Sequence, residues 1–285
     1  MPRGMLALKK TFIFDMDGVV YRDMEPIQSA IDAIKFLRTL GKKTIFMTNN
    51  ATKTRESFAE KLENMGLPTP PSDIFTSAYI AAEALAKEYP NGKAYVVGEQ
   101  GLKTAMKSQG FQIINEECPE IENMKNLPID VVADFVISGM DTQVTYSKLR
   151  TAMMLVLKGA HYYASNDDAN FPAPGTLWPG SGAIVAFLAT ALETPPRKVF
   201  GKPHIEATQS VLSALGTNAE DVVMIGDRLT TDILGGNRAN ITTVCVETGI
   251  SARADLTKFP KEYHPTYFYP TLSEMINEHF CRGEN

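Results

Sequence analysis

The sequence predicts an α/β protein: a doubly wound parallel sheet carrying a second, inserted α/β unit. Three observations predict it. Short, fully apolar runs alternate with amphipathic helical stretches, the pattern of a parallel sheet covered on both faces. Each apolar run near the two ends of the chain stops at a polar or acidic turn. Proline clusters at Pro68, Pro70 and Pro71, and again at Pro195-Pro196, bracket a middle stretch with strands and helices of its own.

Taken in order, Thr11-Phe12-Ile13-Phe14 reads as the first strand, because four consecutive apolar or β-branched residues suit a strand buried on both faces. Ile27, Ile31, Ile34 and Leu37 share one helical face, and Gly41 stands where a helix stop is expected. Thr44-Ile45-Phe46-Met47 is a second buried strand, and a helix with Phe58, Leu62 and Met65 closes at Gly66. After the middle stretch, Lys198-Val199-Phe200 reads as a strand, 204–215 as a helix and Val222-Val223-Met224-Ile225 as a strand. A helix at 230–239, a strand at 242–246, an edge strand within 263–269 and a last helix at 272–280 complete the core. The middle has expected strands at 94–97, 135–137 and 161–164, and helices near 102–109, 146–158 and 183–192. The expected division is a core of residues 1–77 and 197–285 and an insert of residues 78–196.

Composition narrows the classes. The chain has 285 residues, 44% hydrophobic and 21% charged, with no biased tract. A net charge of -5 leaves no broad basic field for a nucleic acid backbone. Three scattered cysteines, Cys118, Cys245 and Cys281, fit neither a disulfide framework nor a zinc site. No apolar run approaches the roughly 18 residues of a membrane span, and residues 1–8 are too broken for a secretory leader. A soluble cytoplasmic protein is expected.

In an open parallel sheet, ligands bind beyond the carboxyl ends of the strands. The polar residues there are Asp15-Met16-Asp17-Gly18, Thr48-Asn49-Asn50, Gly201-Lys202-Pro203, and Gly226-Asp227 with Asp232 shortly after. Each alone reads as turn or capping chemistry. Together, in one order and each directly after an apolar run, they point to a shared site. Several carboxylates crowded at one spot repel unless a cation joins them, and hard oxygen ligands suit Mg²⁺. Lys202 and the Thr48 hydroxyl would then serve phosphate oxygens.

These residues resemble the four motifs of the haloacid dehalogenase superfamily: Phe14-Asp15-Met16-Asp17-Gly18-Val19, Thr48-Asn49-Asn50, Gly201-Lys202-Pro203 and the run from Gly226 to Ile233. More narrowly, the chain resembles the NagD-like branch, with its 4-nitrophenylphosphatases, phosphoglycolate phosphatases and pyridoxal phosphate phosphatases. The resemblance spans nearly the whole chain. Ser165-Asn166-Asp167-Asp168, Phe171-Pro172 and Pro179-Gly180-Ser181-Gly182-Ala183 look like the branch's signature in the inserted cap. One departure is Thr230, where members often carry Asp or Asn.

The resemblance implies a Mg²⁺-dependent phosphatase acting on a small phosphorylated metabolite. Asp15 would be the nucleophile and Asp17 the general acid and base. The carboxylates of Asp15 and Asp227, with the backbone carbonyl of Asp17, would hold the metal, and Asp232 would order a metal-bound water. Thr48, Asn49 and Lys202 would bind the phosphoryl group. The second aspartate of the first motif argues against dehalogenation, which needs no proton for its leaving group. Asn166 and Asp168, with Asn170 and Phe171, are candidates for the cap loop that meets the substrate. Trp178 is expected to tuck against the cap core. Neither a nucleic acid nor a membrane is expected as a partner; members of the branch often form a homodimer through the cap, which no feature of this sequence forces. Two rival readings remain at this point, a phosphotransferase or mutase and a non-catalytic phosphometabolite-binding protein.

Overall fold

The computed structural model describes residues 4–173 and 176–281; residues 1–3, part of the segment read for a leader, lie outside them. The chain forms two compact units. One comprises Met1–Thr48, Glu56–Phe75 and Lys202–Asn285; the other comprises Asn49–Arg55 and Thr76–Gly201.

The first unit is built on a six-stranded sheet. Its spatial order is Tyr267–Tyr269, Thr242–Val246, Val222–Gly226, Thr11–Phe14, Lys43–Thr48, Ile74–Thr76. The central pairings are parallel, with Phe14 opposite both Ile225 and Phe46. All four residues of the first strand are buried, so the sheet is covered on both faces. Phe12, Phe14, Phe46, Ile225 and Val244 pack on one face with Ile31, Ile34 and Leu37 of helix Gln28–Thr39 and with Phe58 and Leu62 of helix Arg55–Asn64. Among the described residues, no helix is long and apolar enough to cross a membrane.

The second unit carries a four-stranded parallel sheet, ordered Gln112–Ile113, Lys93–Val97, Phe135–Ser138, His161–Ala164. Tyr95, Val97, Val136, Leu155 and Leu188 form its core, under helices Tyr146–Leu157 and Ser181–Leu192. The Thr145 hydroxyl caps the first of these helices by accepting from Lys148 N–H.

The structure departs from expectation in three places. Residues 198–200 are not a strand of the core sheet. Lys198 C=O accepts from Ala164 N–H and Phe200 N–H donates to Ala164 C=O, so this segment lies along the edge of the second unit's sheet. The third strand of the core on that side is instead Ile74–Thr76, three residues directly after a proline-rich turn. Asn170 and Phe171, read as part of a loop, stand in the first of two antiparallel strands, Asn170–Ala173 and Thr176–Pro179. Trp178, expected against a core, is half exposed.

Candidate active site

The parallel register sets the site. Asp15 directly follows the first strand, and its N–H donates to Ile225 C=O, so it leaves the sheet beside the end of Val222–Gly226, where Asp227 follows. Thr48 ends the strand on the other side and is buried. Three neighbouring strands therefore deliver Asp15, Asp227 and Thr48 to one end of the sheet, the end at which doubly wound sheets bind ligands.

Lys202 enters the same end. Its ammonium lies 2.6 Å from Asp15 Oδ1 and 2.6 Å from Asp232 Oδ1, and it donates to Met47 C=O at 3.0 Å. Only 2% of Lys202 is exposed. Burial alone would lower its pKa, but the carboxylates of Asp15 and Asp232 outweigh it and hold the value above the ordinary lysine range. Lys202 is a fixed cation.

One cation does not balance the carboxylates around it. Asp15, Asp227 and Asp232 can each offer an oxygen within 4.8 Å of the others. Burial raises the pKa of Asp15, and of its charged neighbours Lys202 opposes the rise while Asp232 and Asp227 add to it. Burial, then Asp232, pushes Asp227 up to about 7, against the Ile250 N–H, Arg228 and Lys202. Such a set of hard oxygens, short of positive charge, fits a divalent cation. The fit rests on this donor set; the Asp17 carboxylate is not part of it.

Asp227 is held by a loop that sequence reasoning did not single out. Ile250 N–H donates to Asp227 Oδ2 at 2.8 Å, and Ser251 N–H donates to Asp227 C=O at 3.0 Å. Thr248 Oγ1 donates to Gly18 C=O at 2.6 Å. A Cβ on Gly249 would stand 1.9 Å from Asp227 Oδ2, and one on Gly18, which also has φ +81°, would stand 2.5 Å from it. The carboxylate is wrapped so closely that only hydrogen fits at both positions. The one available sign was Thr248-Gly249 just beyond an apolar strand.

Asp17 sits in the turn after Asp15 and is exposed. Its pKa is raised, chiefly by the partial burial of its carboxyl; hydrogen bonding from the Asp23 and Gly18 backbone and the charge of Lys61 hold it back. Lys61 lies 3.5 Å from the centre of the Tyr21 ring.

Asn49, Asn166 and Asp168 are also brought together, within the second unit. Asn49 Nδ2 donates to both carboxylate oxygens of Asp168 at 3.1 Å, and Asn166 Nδ2 donates to Asn49 C=O at 2.9 Å.

Comparison with known proteins agrees with these motifs. Residues 12–112 match the family described as haloacid dehalogenase-like hydrolase, and residues 199–275 match a HAD-hydrolase-like family. An acid sugar phosphatase of Staphylococcus saprophyticus is 33% identical over 269 residues, which are 94% of this chain and 97% of that one. A solved p-nitrophenyl phosphatase from Archaeoglobus fulgidus superimposes with a TM-score of 0.84 at 30% identity, over 94% of this chain and 98% of that one. A glycerol phosphate phosphatase from Mycobacterium tuberculosis, solved in complex with calcium, gives 0.83 at 27% identity, over 96% of this chain and 76% of that one.

Proposed function

Because the chain belongs to the haloacid dehalogenase-like hydrolases and is a phosphoric monoester hydrolase, we propose that it hydrolyses small phosphate monoesters with Mg²⁺ and with Asp15 as nucleophile. The observation that carries this reading is the buried ammonium of Lys202, 2.6 Å from both Asp15 and Asp232, inside a cluster that still lacks positive charge.

In the first step an Asp15 carboxylate oxygen attacks phosphorus and the bond to the ester oxygen breaks. Asp17 delivers its proton to that leaving oxygen, a task its raised pKa supports. In the second step Asp17, now a carboxylate, takes a proton from water as the water oxygen attacks phosphorus. The bond between phosphorus and Asp15 breaks, inorganic phosphate leaves, and both aspartates return to their starting states. Lys202 and the Thr48 hydroxyl bind phosphoryl oxygens and hold the group in line. Asp15, Asp227 and the Asp17 backbone carbonyl would hold Mg²⁺, which when bound neutralises the crowded carboxylates and polarises the phosphoryl oxygens.

The relatives support the substrate class, since their names point to sugar phosphates, p-nitrophenyl phosphate and glycerol phosphate, all monoesters of small alcohols or phenols. The proposed setting is the cytoplasm, where the thiols of Cys118, Cys245 and Cys281 would stay reduced. Phosphate release from a panel of phosphorylated metabolites, with Mg²⁺ and with EDTA, tests the proposal. Release that needs Mg²⁺ is expected. Transfer of the phosphoryl group to an added alcohol in place of water would favour a phosphotransferase, and release undiminished by EDTA would remove the metal from the account.

A further inference from the structure

Resting on the phosphatase reading, we infer that Asn49 and Asp168 are positioning residues: together they hold the turn after Thr48 and the loop 165–169 in one shape, rather than gripping the phosphoryl group themselves.

The Asn49 carbonyl accepts two hydrogen bonds, from Ser77 Oγ at 2.8 Å and from Asn166 Nδ2 at 2.9 Å. Its side-chain amide donates to both oxygens of the Asp168 carboxylate, at 3.1 Å each. A neutral donor shared across an ionised acceptor is stronger than an amide–amide contact. Asn49 is therefore fixed at both its carbonyl and its side chain, by residues up to 119 positions away.

The acceptor loop is equally well built. Asp168 N–H donates to Asn166 Oδ1 at 3.3 Å, and Ser181 Oγ donates to the Asn166 carbonyl at 2.9 Å. Gly182 N–H donates to Asp168 C=O, and Gly180 N–H donates to Ala169 C=O, both at 2.9 Å. Helix Ser181–Leu192 thus spends one backbone donor of its first turn on this loop, and its N-cap Gly180 supplies another. Asn166 and Ser181 are buried.

Electrostatics favours positioning over direct contact. A carboxylate beside the amide sets a negative charge next to any phosphate that the amide would bind, and like charges disfavour one another. As a holder of the turn, the same carboxylate carries no such cost. Asn49 is joined to Thr48 by one peptide bond, so the turn that Asn49 begins sets the backbone that leaves Thr48. Small misplacements of a positioning group are known to cost catalysis heavily.

Exchanging the two side chains tests the pair. N49D sets a carboxylate against a carboxylate; the double variant N49D/D168N restores an amide and a carboxylate in reversed order. Each is assayed for kcat and KM on 4-nitrophenyl phosphate with Mg²⁺, and for amide hydrogen exchange across residues 165–170 without substrate. N49D should lose on the order of 10²-fold in kcat/KM and exchange faster in that segment alone. The double variant should recover most of the activity and slow exchange again. Restored protection without restored turnover would show that Asn49 touches the phosphoryl group directly, overturning the inference. Unchanged exchange in N49D would overturn it as well. If the wild-type protein released no phosphate, the phosphatase reading would fail, and the exchange measurement would still decide the pair.

Discussion

Lys202 Nζ stands 2.6 Å from Asp15 Oδ1, and the two residues are 187 positions apart in the chain. The lysine ammonium and the proposed nucleophile form one buried ion pair, with Asp232 closing it on the other side. Removing one partner from such a pair leaves an uncompensated charge. Lys202→Met should therefore destabilise the protein by about 3–5 kcal/mol in EDTA, and it should abolish turnover. Urea unfolding with and without Mg²⁺ checks this, and added Mg²⁺ should recover part of the loss. Stability equal to wild type in EDTA would mean that the three carboxylates do not repel as described.

The raised pKa values of Asp15 and Asp227 give a pH dependence with a definite sign. In the unfolded chain each ionises near about 4, whereas burial and carboxylate neighbours raise Asp15 and push Asp227 up to about 7 in the folded protein. Between those values the folded state keeps protons that the unfolded state has released, so stability falls as pH rises through this window. Lys202, held above the lysine range, contributes equally throughout it. Thermal unfolding in EDTA should give a lower Tm at pH 8 than at pH 5, and saturating Mg²⁺ should narrow the gap. A metal-free Tm that rises with pH across this window contradicts the assignment.

Gly249→Ala probes the wrapping of Asp227. The added Cβ would stand 1.9 Å from Oδ2, so the carboxylate or the loop must move. Metal affinity should drop on the order of 10–100-fold, as when outer partners of a metal ligand are disturbed. Titrating activity with Mg²⁺ measures it. An unchanged midpoint would free Asp227 from the metal role.

Asp17→Asn should cost roughly 10²–10⁴ in rate on an alkyl phosphate such as glycerol phosphate. The loss should be smaller on 4-nitrophenyl phosphate, whose leaving oxygen needs less protonation, while phosphorylation limits the rate. Equal losses on both, with no build-up of phosphorylated protein, count against Asp17 as the acid.

The sequence announced those parts of the molecule whose signal is local. The strands Thr11–Phe14, Val222–Gly226 and Thr242–Val246 are buried on both faces and so appear as unbroken apolar runs. The polar residue after each run, Asp15 and Asp227 among them, then falls at the ligand-binding end by topology alone. Ile74–Thr76 escaped notice because three residues after prolines carry too little pattern. Residues 198–200 have strand composition, yet their backbone partner is Ala164 rather than the core sheet, a choice made by tertiary pairing. Gly249 looks like any turn glycine until Asp227 is seen against it. The bond between Asn49 and Asp168 spans 119 positions and has no local signature. Close approach and long-range pairing are properties of the folded chain, and there the sequence was silent.

In the proposed mechanism Asp15 carries the phosphoryl group between the two steps. Asp17→Asn protein mixed with 4-nitrophenyl phosphate and Mg²⁺, quenched in acid within the first turnover and digested, allows mass spectrometry to find it. One added phosphoryl group is expected on the peptide containing Asp15, and none when Asp15→Asn is introduced as well. A phosphoryl group on a different residue, or full release of phosphate in the Asp15→Asn protein, would contradict it.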